Sequence, residues 1–172
     1  MIRLVRAEDA EVLAELVRAD RAFLAPWEPV RAEEFFTVSG QRAMIESLLA
    51  ECRQGLVVPH VVLDPSGAVV GRITLSRITR GAFQSCGLGY WVSEAAGGRG
   101  LATAAVAEIK RVAFEELRLH RIEASTLLHN VRSQRVLERN GFVRFGTAPR
   151  YLRIAGRWQD HALFQVLSSE PD

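Results

Sequence analysis

The segment from Gly87 to Leu128 constrains the fold more than any other part of the chain. An apolar and aromatic run, Gly87 to Val92, meets a glycine cluster of Gly97, Gly98 and Gly100. Helical periodicity follows as far as Leu117, and then a second strand-like run, Arg121 to Leu128. Within the helical part Val106, Ile109, Ala113 and Leu117 fall on one face and Glu108, Lys110, Arg111 and Glu115 on the other, the pattern of a helix lying on a sheet. Strands joined through a crossover helix pair in parallel. The sheet is therefore expected to contain a parallel pair made by these two strands.

The rest of the chain favours antiparallel neighbours. "LVVPHVVLDPSGAVVGRITLSRI" alternates with a period of two around the turn residues Asp64 to Gly67, which predicts a hairpin. "YLRIAGRWQDHALFQVL" predicts a second hairpin turning at Ala155 and Gly156, with a separate strand at "GFVRFG" before it. Helices are expected over Ala7–Val17, about Ser39 to Gln54 with Gly55 as the stop, and Asn130–Asn140; "FLAPWEPV", with two prolines, breaks the first from the second. The fold class is α+β (mixed α/β). Its 172 residues, 48% hydrophobic, suffice for one core, so a single domain over 1–172 is expected.

Composition excludes several functions. A net charge of +2 is too small for nucleic-acid binding, although residues 1–60 carry 7 Arg against 10 acids, leaving the later part positive. No apolar run approaches a membrane span, and no signal peptide precedes the patterned sequence, so a soluble, cytoplasmic protein is expected. Cys52 and Cys86 lack metal-ligand spacing and read as reduced core residues; no metal is expected.

A glycine cluster at a helix start exposes the unpaired N–H groups of the first turn and the positive end of the helix dipole, which suits a pyrophosphate. Here the donors would run from Gly98 to Thr103, with Arg99 adding charge. A ligand-free β-to-α turn explains the glycines equally well, and "GGRGLAT" matches neither GxGxxG nor GK[ST]. Longer blocks decide. "AAGGRGLATAA" resembles the acetyl-CoA pyrophosphate loop of the GCN5-related N-acetyltransferases, with Gly97 where Gln or Arg is usual, and "HNVRSQRVLERNGF" resembles the helix that follows in that family. With "FLAPWEPVR", "RGAFQSCGLGYWV", "LHRIEA" and "RYLRIAGRWQDHALF", nearly the whole chain is similar to ribosomal-protein N-acetyltransferases of the RimJ/RimL type, and more so to the RimJ side.

The resemblance implies a mostly antiparallel sheet whose one parallel pair splays at the acetyl-CoA site, with helices on both faces. It implies acetylation of a protein N-terminal α-amine, on a ribosomal protein for instance, without nucleic acid or membrane, and neither requires nor excludes a homodimer. Acetyl-CoA would be held by Tyr90, Trp91, Val92, Gly97, Gly98, Arg99, Gly100, Leu101, Ala102, Thr103, Asn130, Ser133 and Arg135. Ser133 would hydrogen-bond the departing thiolate, because the family's usual Tyr four positions on is Leu137 here, and Asn130 would join it at the catalytic centre. Trp27, Glu28, Tyr151 and Trp158 would shape the acceptor groove. Gly87 stands where some relatives place a base, leaving Glu28, His129, Asp160 and His161 as candidates. Two other readings stand beside this one: acetylation of a small-molecule amine, and an acyl-CoA-binding module with little catalysis.

Overall fold

The computed structural model describes residues 1–169. One seven-stranded sheet organises them: β1 (Ile2–Leu4), β2 (Val58–Leu63), β3 (Val69–Thr79), β4 (Ser85–Val92), β5 (Arg121–Leu127), β6 (Val143–Ile154) and β7 (Arg157–Leu167). Their spatial order is β1-β2-β3-β4-β5-β7-β6, and every neighbouring pair is antiparallel except β4 with β5. The crossover between those two is α4 (Leu101–Arg111), extended by one wide turn in which Leu117 N–H donates to Val112 O at 3.0 Å.

Strand alternation divides the core in two. Ile73 and Leu75 of β3 pack with Val106 and Ile109 of α4, Leu137 of α5 (Val131–Arg139) and Phe164 of β7. On the other face Val61 of β2 packs with Leu13 of α1 (Ala10–Ala19) and Ile45 of α3 (Val38–Arg53), and Trp91 of β4 leans on that cluster. Helices thus cover both faces, as the resemblance implies. Arg72 and Thr74, alternating with Ile73 and Leu75, belong to the α1/α3 side.

Both predicted hairpins form. The first turn is tied by the Asp64 side chain, which accepts from Ser66 N–H at 2.8 Å and Ala68 N–H at 3.1 Å, and Ala155 and Gly156 both take positive φ, which a two-residue hairpin turn demands. Four expectations shift. The first helix begins as a 3₁₀ turn at Ala7–Asp9, because Asp9 bends back to accept from Arg6 N–H. The proline segment is entered by α2 (Arg21–Leu24) and followed by a 3₁₀ turn at Glu33–Phe36. "GFVRFG" and the following "YLRI" are one strand, β6, whose register slips twice, at Arg144/Gly146 and Ala148/Leu152. Cys86 is buried, which pushes its thiol up to about 12, whereas Cys52 is half-buried; both are free.

Candidate active site

Pairing between β4 and β5 lasts four residues, Ser85–Leu88 against Arg121–Ala124. Beyond it both strands continue, to Val92 and Leu127, without bonding to each other. Ser93 N–H donates to Val70 O at 2.8 Å, so backbone alternation turns the N–H groups of Tyr90 and Val92 away from β3 and into the opening. Main-chain donors in the middle of a sheet are normally paired; these two are available to a ligand.

A cavity of about 180 Å³ fills this opening, between Tyr90 on β4, Ala124 and Thr126 on β5, and Asn130, Ser133 and Leu137 on α5. A second, of about 290 Å³, lies on the α1/α3 side, walled by Trp27, Glu28, Arg31, Arg72, Thr74 and Trp91. Trp27, Gly89 and Tyr90 line both. Gly89, paired with Thr74, keeps the larger cavity open where the two adjoin: a Cβ added there would meet nothing within 4 Å, so a larger side chain would project into the α1/α3-side cavity.

The glycine turn has the form a diphosphate needs. Gly98 (φ +72) and Gly100 (φ +76) sit in the left-handed region that favours glycine, and a Cβ on either would find no protein atom within 4 Å. Gly97 is close-packed instead, since its Cβ would lie 3.0 Å from Glu94 O. No side chain caps α4, whose N-cap is Gly100 itself. By contrast α3 is capped by the Thr37 side chain and α5 by that of Asn130. The first-turn N–H groups of Leu101, Ala102 and Thr103 are thereby left open beside the exposed Arg99. The residues present fit an anionic cofactor.

Ser133 faces the sheet with Val136, Leu137 and Asn140, as the helical spacing predicts. The Asn130 side-chain oxygen accepts from Ser133 N–H at 3.1 Å, and its amide NH₂ is left for a ligand. The Tyr90 hydroxyl lies 2.9 Å from Ser133 Oγ and 3.2 Å from Ser133 O. Burial pushes the Tyr90 phenol up to about 12, so it holds its proton at neutral pH. A hydroxyl pair thus stands where Leu137 alone would leave none. Sequence placed Tyr90 at the site but could not show this bond, which spans 43 positions.

The candidate bases separate. The place beside Gly87 is occupied by the Arg77 guanidinium, 2.6 Å from where a Cβ would stand. Asp160 accepts from Arg150 N–H at 2.9 Å and so holds the final hairpin. His129 stacks on Trp27 at 5.5 Å between ring centroids. Glu28 receives Arg31 twice on Oε2, at 3.1 and 3.0 Å, leaving Oε1 without a bond. Buried His161 lines the smaller cavity and donates from Nδ1 to Gln159 O at 2.9 Å, an assignment that follows because a carbonyl can only accept. In the neutral ring Nε2 then carries the lone pair. The hairpin differs from expectation: Leu152 and Ile154 line the cavity, Tyr151 lies against His161 at 5.7 Å, and Trp158 is 62% exposed and lines neither cavity. The register slips in β6 decide which of these side chains face inward. Arg135 is exposed on the outer stripe of α5, with Arg132 and Arg139. Among the described residues no cluster of His, Cys, Asp or Glu could hold a metal, and no helix is long and apolar enough to cross a membrane.

Comparison with known proteins bears on the same architecture. Residues 1–143 match the family model described as acetyltransferase (GNAT) domain. The chain is 37% identical over 164 residues to the [ribosomal protein uS5]-alanine N-acetyltransferase of Escherichia coli, covering 95% of this chain and 84% of that protein. A crystal structure of ribosomal-protein-S5-alanine acetyltransferase from Vibrio fischeri superposes with a TM-score of 0.93 at 34% identity, covering 98% of this chain and 93% of that one. Mycobacterium smegmatis RimJ in complex with CoA-disulfide gives 0.93 at 36% identity, over 97% and 81%. The splayed parallel pair, the uncapped glycine turn and these matches together establish that the chain belongs to the GNAT acetyltransferases and is an N-acetyltransferase.

Proposed function

We propose that this chain, acting as a single domain over residues 1–172, transfers an acetyl group from acetyl-CoA to the α-amine of a protein N-terminus that begins with a small residue, Ala foremost. The observation that carries the reading is the opening between β4 and β5, with one cavity on the α5 side, another on the α1/α3 side, and Trp27, Gly89 and Tyr90 shared by both. Two reactants can approach a common point from opposite faces without displacing the sheet. The acceptors named for the relatives, the alanine of ribosomal protein S5, support a ribosomal protein as acceptor here, and with it a cytoplasmic reaction.

When bound, acetyl-CoA supplies the acetyl group as a thioester. The first-turn N–H groups of α4 and Arg99 hold its diphosphate, and the amide NH₂ of Asn130 faces its arm. The N–H groups of Tyr90 and Val92 donate to the carbonyl oxygen as negative charge builds there, in a site where the donors are already fixed. Ser133 Oγ–H donates to the departing sulfur, and as it turns away Tyr90 O–H donates to Ser133 Oγ, which keeps that oxygen satisfied. Glu28 Oε1 orients the incoming amine.

A strong base is unnecessary for this acceptor. With a pKa near 7.7–8.0, roughly a fifth of α-amino groups are neutral near pH 7.2, whereas less than about 0.1% of lysine side chains are. The test is acetyl-CoA-dependent thiol release on peptides beginning with Ala, Ser, Thr or a bulky residue, beside a lysine peptide with a blocked N-terminus and a polyamine. Ala-initiated peptides should give the highest kcat/KM. A higher value for the lysine peptide or the polyamine would transfer the assignment to small or side-chain amines, and tight acetyl-CoA binding without thiol release on any amine would leave only a binding module.

A further inference from the structure

The larger cavity contains a cation that the reaction just described does not use. Arg72 projects from β3 into the α1/α3-side cavity, where Nη1 donates to Met44 Sδ at 3.0 Å. No carboxylate pairs with it among the described residues. The nearest carboxylate in the cavity, Glu28, is already held twice by Arg31, whose guanidinium also lies 4.6 Å over the Phe35 ring. Arg31 and Glu28 cancel, and the cavity keeps one net positive charge. The remaining nitrogens of Arg72 are not sealed away, since they are absent from the buried, unbonded polar atoms, and the cavity is the space they reach.

The setting favours an anion. Burial, and secondarily the positive charge of Arg31, push the pKa of Arg72 down to about 10 against the opposing pull of Glu28, so the guanidinium remains charged at neutral pH with its own desolvation only partly offset. Thr74, two residues along the same strand face, adds a hydroxyl that no protein group engages and that lines the same cavity. Opposite Thr74 stands Gly89, so no side chain blocks the approach. A planar fork beside a hydroxyl, open on one side, is suited to a carboxylate.

The cofactor's phosphates are not that anion. The turn suited to them heads α4, which packs on the opposite face of the sheet from Arg72 and Trp91. The anion must arrive with the acceptor. Resting on the acceptor reading above, we propose that Arg72 and Thr74 form a subsite for an acidic side chain, Asp or Glu, carried within the first few residues after the acetylated N-terminus. An extended peptide advances about 3.3–3.6 Å per residue, so the residues immediately after the first cross this cavity while the amine waits at Gly89 and Tyr90.

The test uses Ala-initiated peptides with Glu at position two, three or four, each matched with a Gln peptide and with a free-alanine control that presents only an α-carboxylate. For the wild-type protein one Glu position should raise kcat/KM about tenfold or more over its Gln partner, through KM, and the advantage should shrink as salt rises. Arg72→Met should remove the difference and Arg72→Lys should keep part of it. Binding of the N-acetylated product peptides to the CoA-loaded protein, followed by tryptophan fluorescence, reads the subsite without turnover. If no peptide is acetylated yet the Glu product still binds better than the Gln product, the subsite stands and the acceptor reading falls. Equal behaviour of Glu and Gln peptides at every position, or a preference that survives Arg72→Met, overturns the subsite. Preference for free alanine over every peptide assigns it to an α-carboxylate. Should Arg72→Met fail to fold, the Lys variant and the salt dependence decide alone.

Discussion

Removing the Tyr90 hydroxyl tests whether Ser133 works alone. In the resting protein the 2.9 Å bond to Ser133 Oγ is partly buried, and such a bond is worth about 0.5–1.5 kcal/mol net. As charge develops on sulfur, Ser133 becomes a donor to an anion and the bond supporting it strengthens, roughly doubling. Tyr90→Phe should therefore cost about 1–2 kcal/mol of transition-state stabilisation, about tenfold in kcat, with acetyl-CoA affinity nearly unchanged. Ser133→Ala, which removes the donor to sulfur itself, should cost about 100-fold. The informative measurement is the double variant: if Tyr90 acts through Ser133, Tyr90→Phe should cost almost nothing further once Ser133 is Ala. Steady-state thiol release at saturating peptide, with calorimetry for acetyl-CoA and a melting curve for each variant, supplies every number required. A tenfold loss that persists in the Ser133→Ala background would show that Tyr90 acts on packing or on acetyl-CoA directly, and would refute the coupling.

Gly100→Val adds a side chain at φ +76 in the space a diphosphate would fill, so acetyl-CoA binding measured by calorimetry should weaken at least tenfold; unchanged affinity removes the turn from the site. Gly89→Leu should raise peptide KM or abolish transfer by filling the α1/α3-side cavity where it adjoins the smaller one, while the fold survives because no protein atom lies within 4 Å of the new Cβ. Trp27→Ala and Glu28→Ala should each raise peptide KM about tenfold with little effect on acetyl-CoA affinity, read from initial rates at varied peptide. The phenol of Tyr90, raised from 10.0 to about 12, contributes stability that is complete below pH 10 and is lost as pH rises toward 12; denaturant titrations should show a steeper alkaline loss in wild type than in Tyr90→Phe.

Local chemistry made part of this site readable. The crossover, the parallel pair and the inward face of α5 follow from periodicity and chain reach, and Asn130 as a cap follows from its place before Val131. What escaped depends on register or on distant partners. Arg72 reads in sequence as one charge on a strand; only the choice of face and the prior claim of Arg31 on Glu28 make it an open cation. Leu152 and Ile154 reach the cavity because β6 slips twice against β7, and no residue type at Ala148 or Gly146 announces how many residues a strand will gain. The insertion of β7 between β5 and β6 is likewise a topological choice that alternation cannot encode.

The unpaired stretch from Gly89 to Val92 is an edge in the interior of a sheet. Exposed edges invite another chain to add itself as a strand, and proteins usually blunt them with charge, proline or a bulge. Here none of these stands on the open side of β4. The protection is geometric: β4 and β5 converge at Leu88 and Ala124, so the gap narrows to nothing within a few residues and α5 roofs its wide end. A neighbouring polypeptide, with a strand spacing of about 4.8 Å to satisfy on both sides, finds no length over which to dock. A slender linear ligand carrying amide groups does, which gives this edge a chemical selectivity that a rim strand could not have.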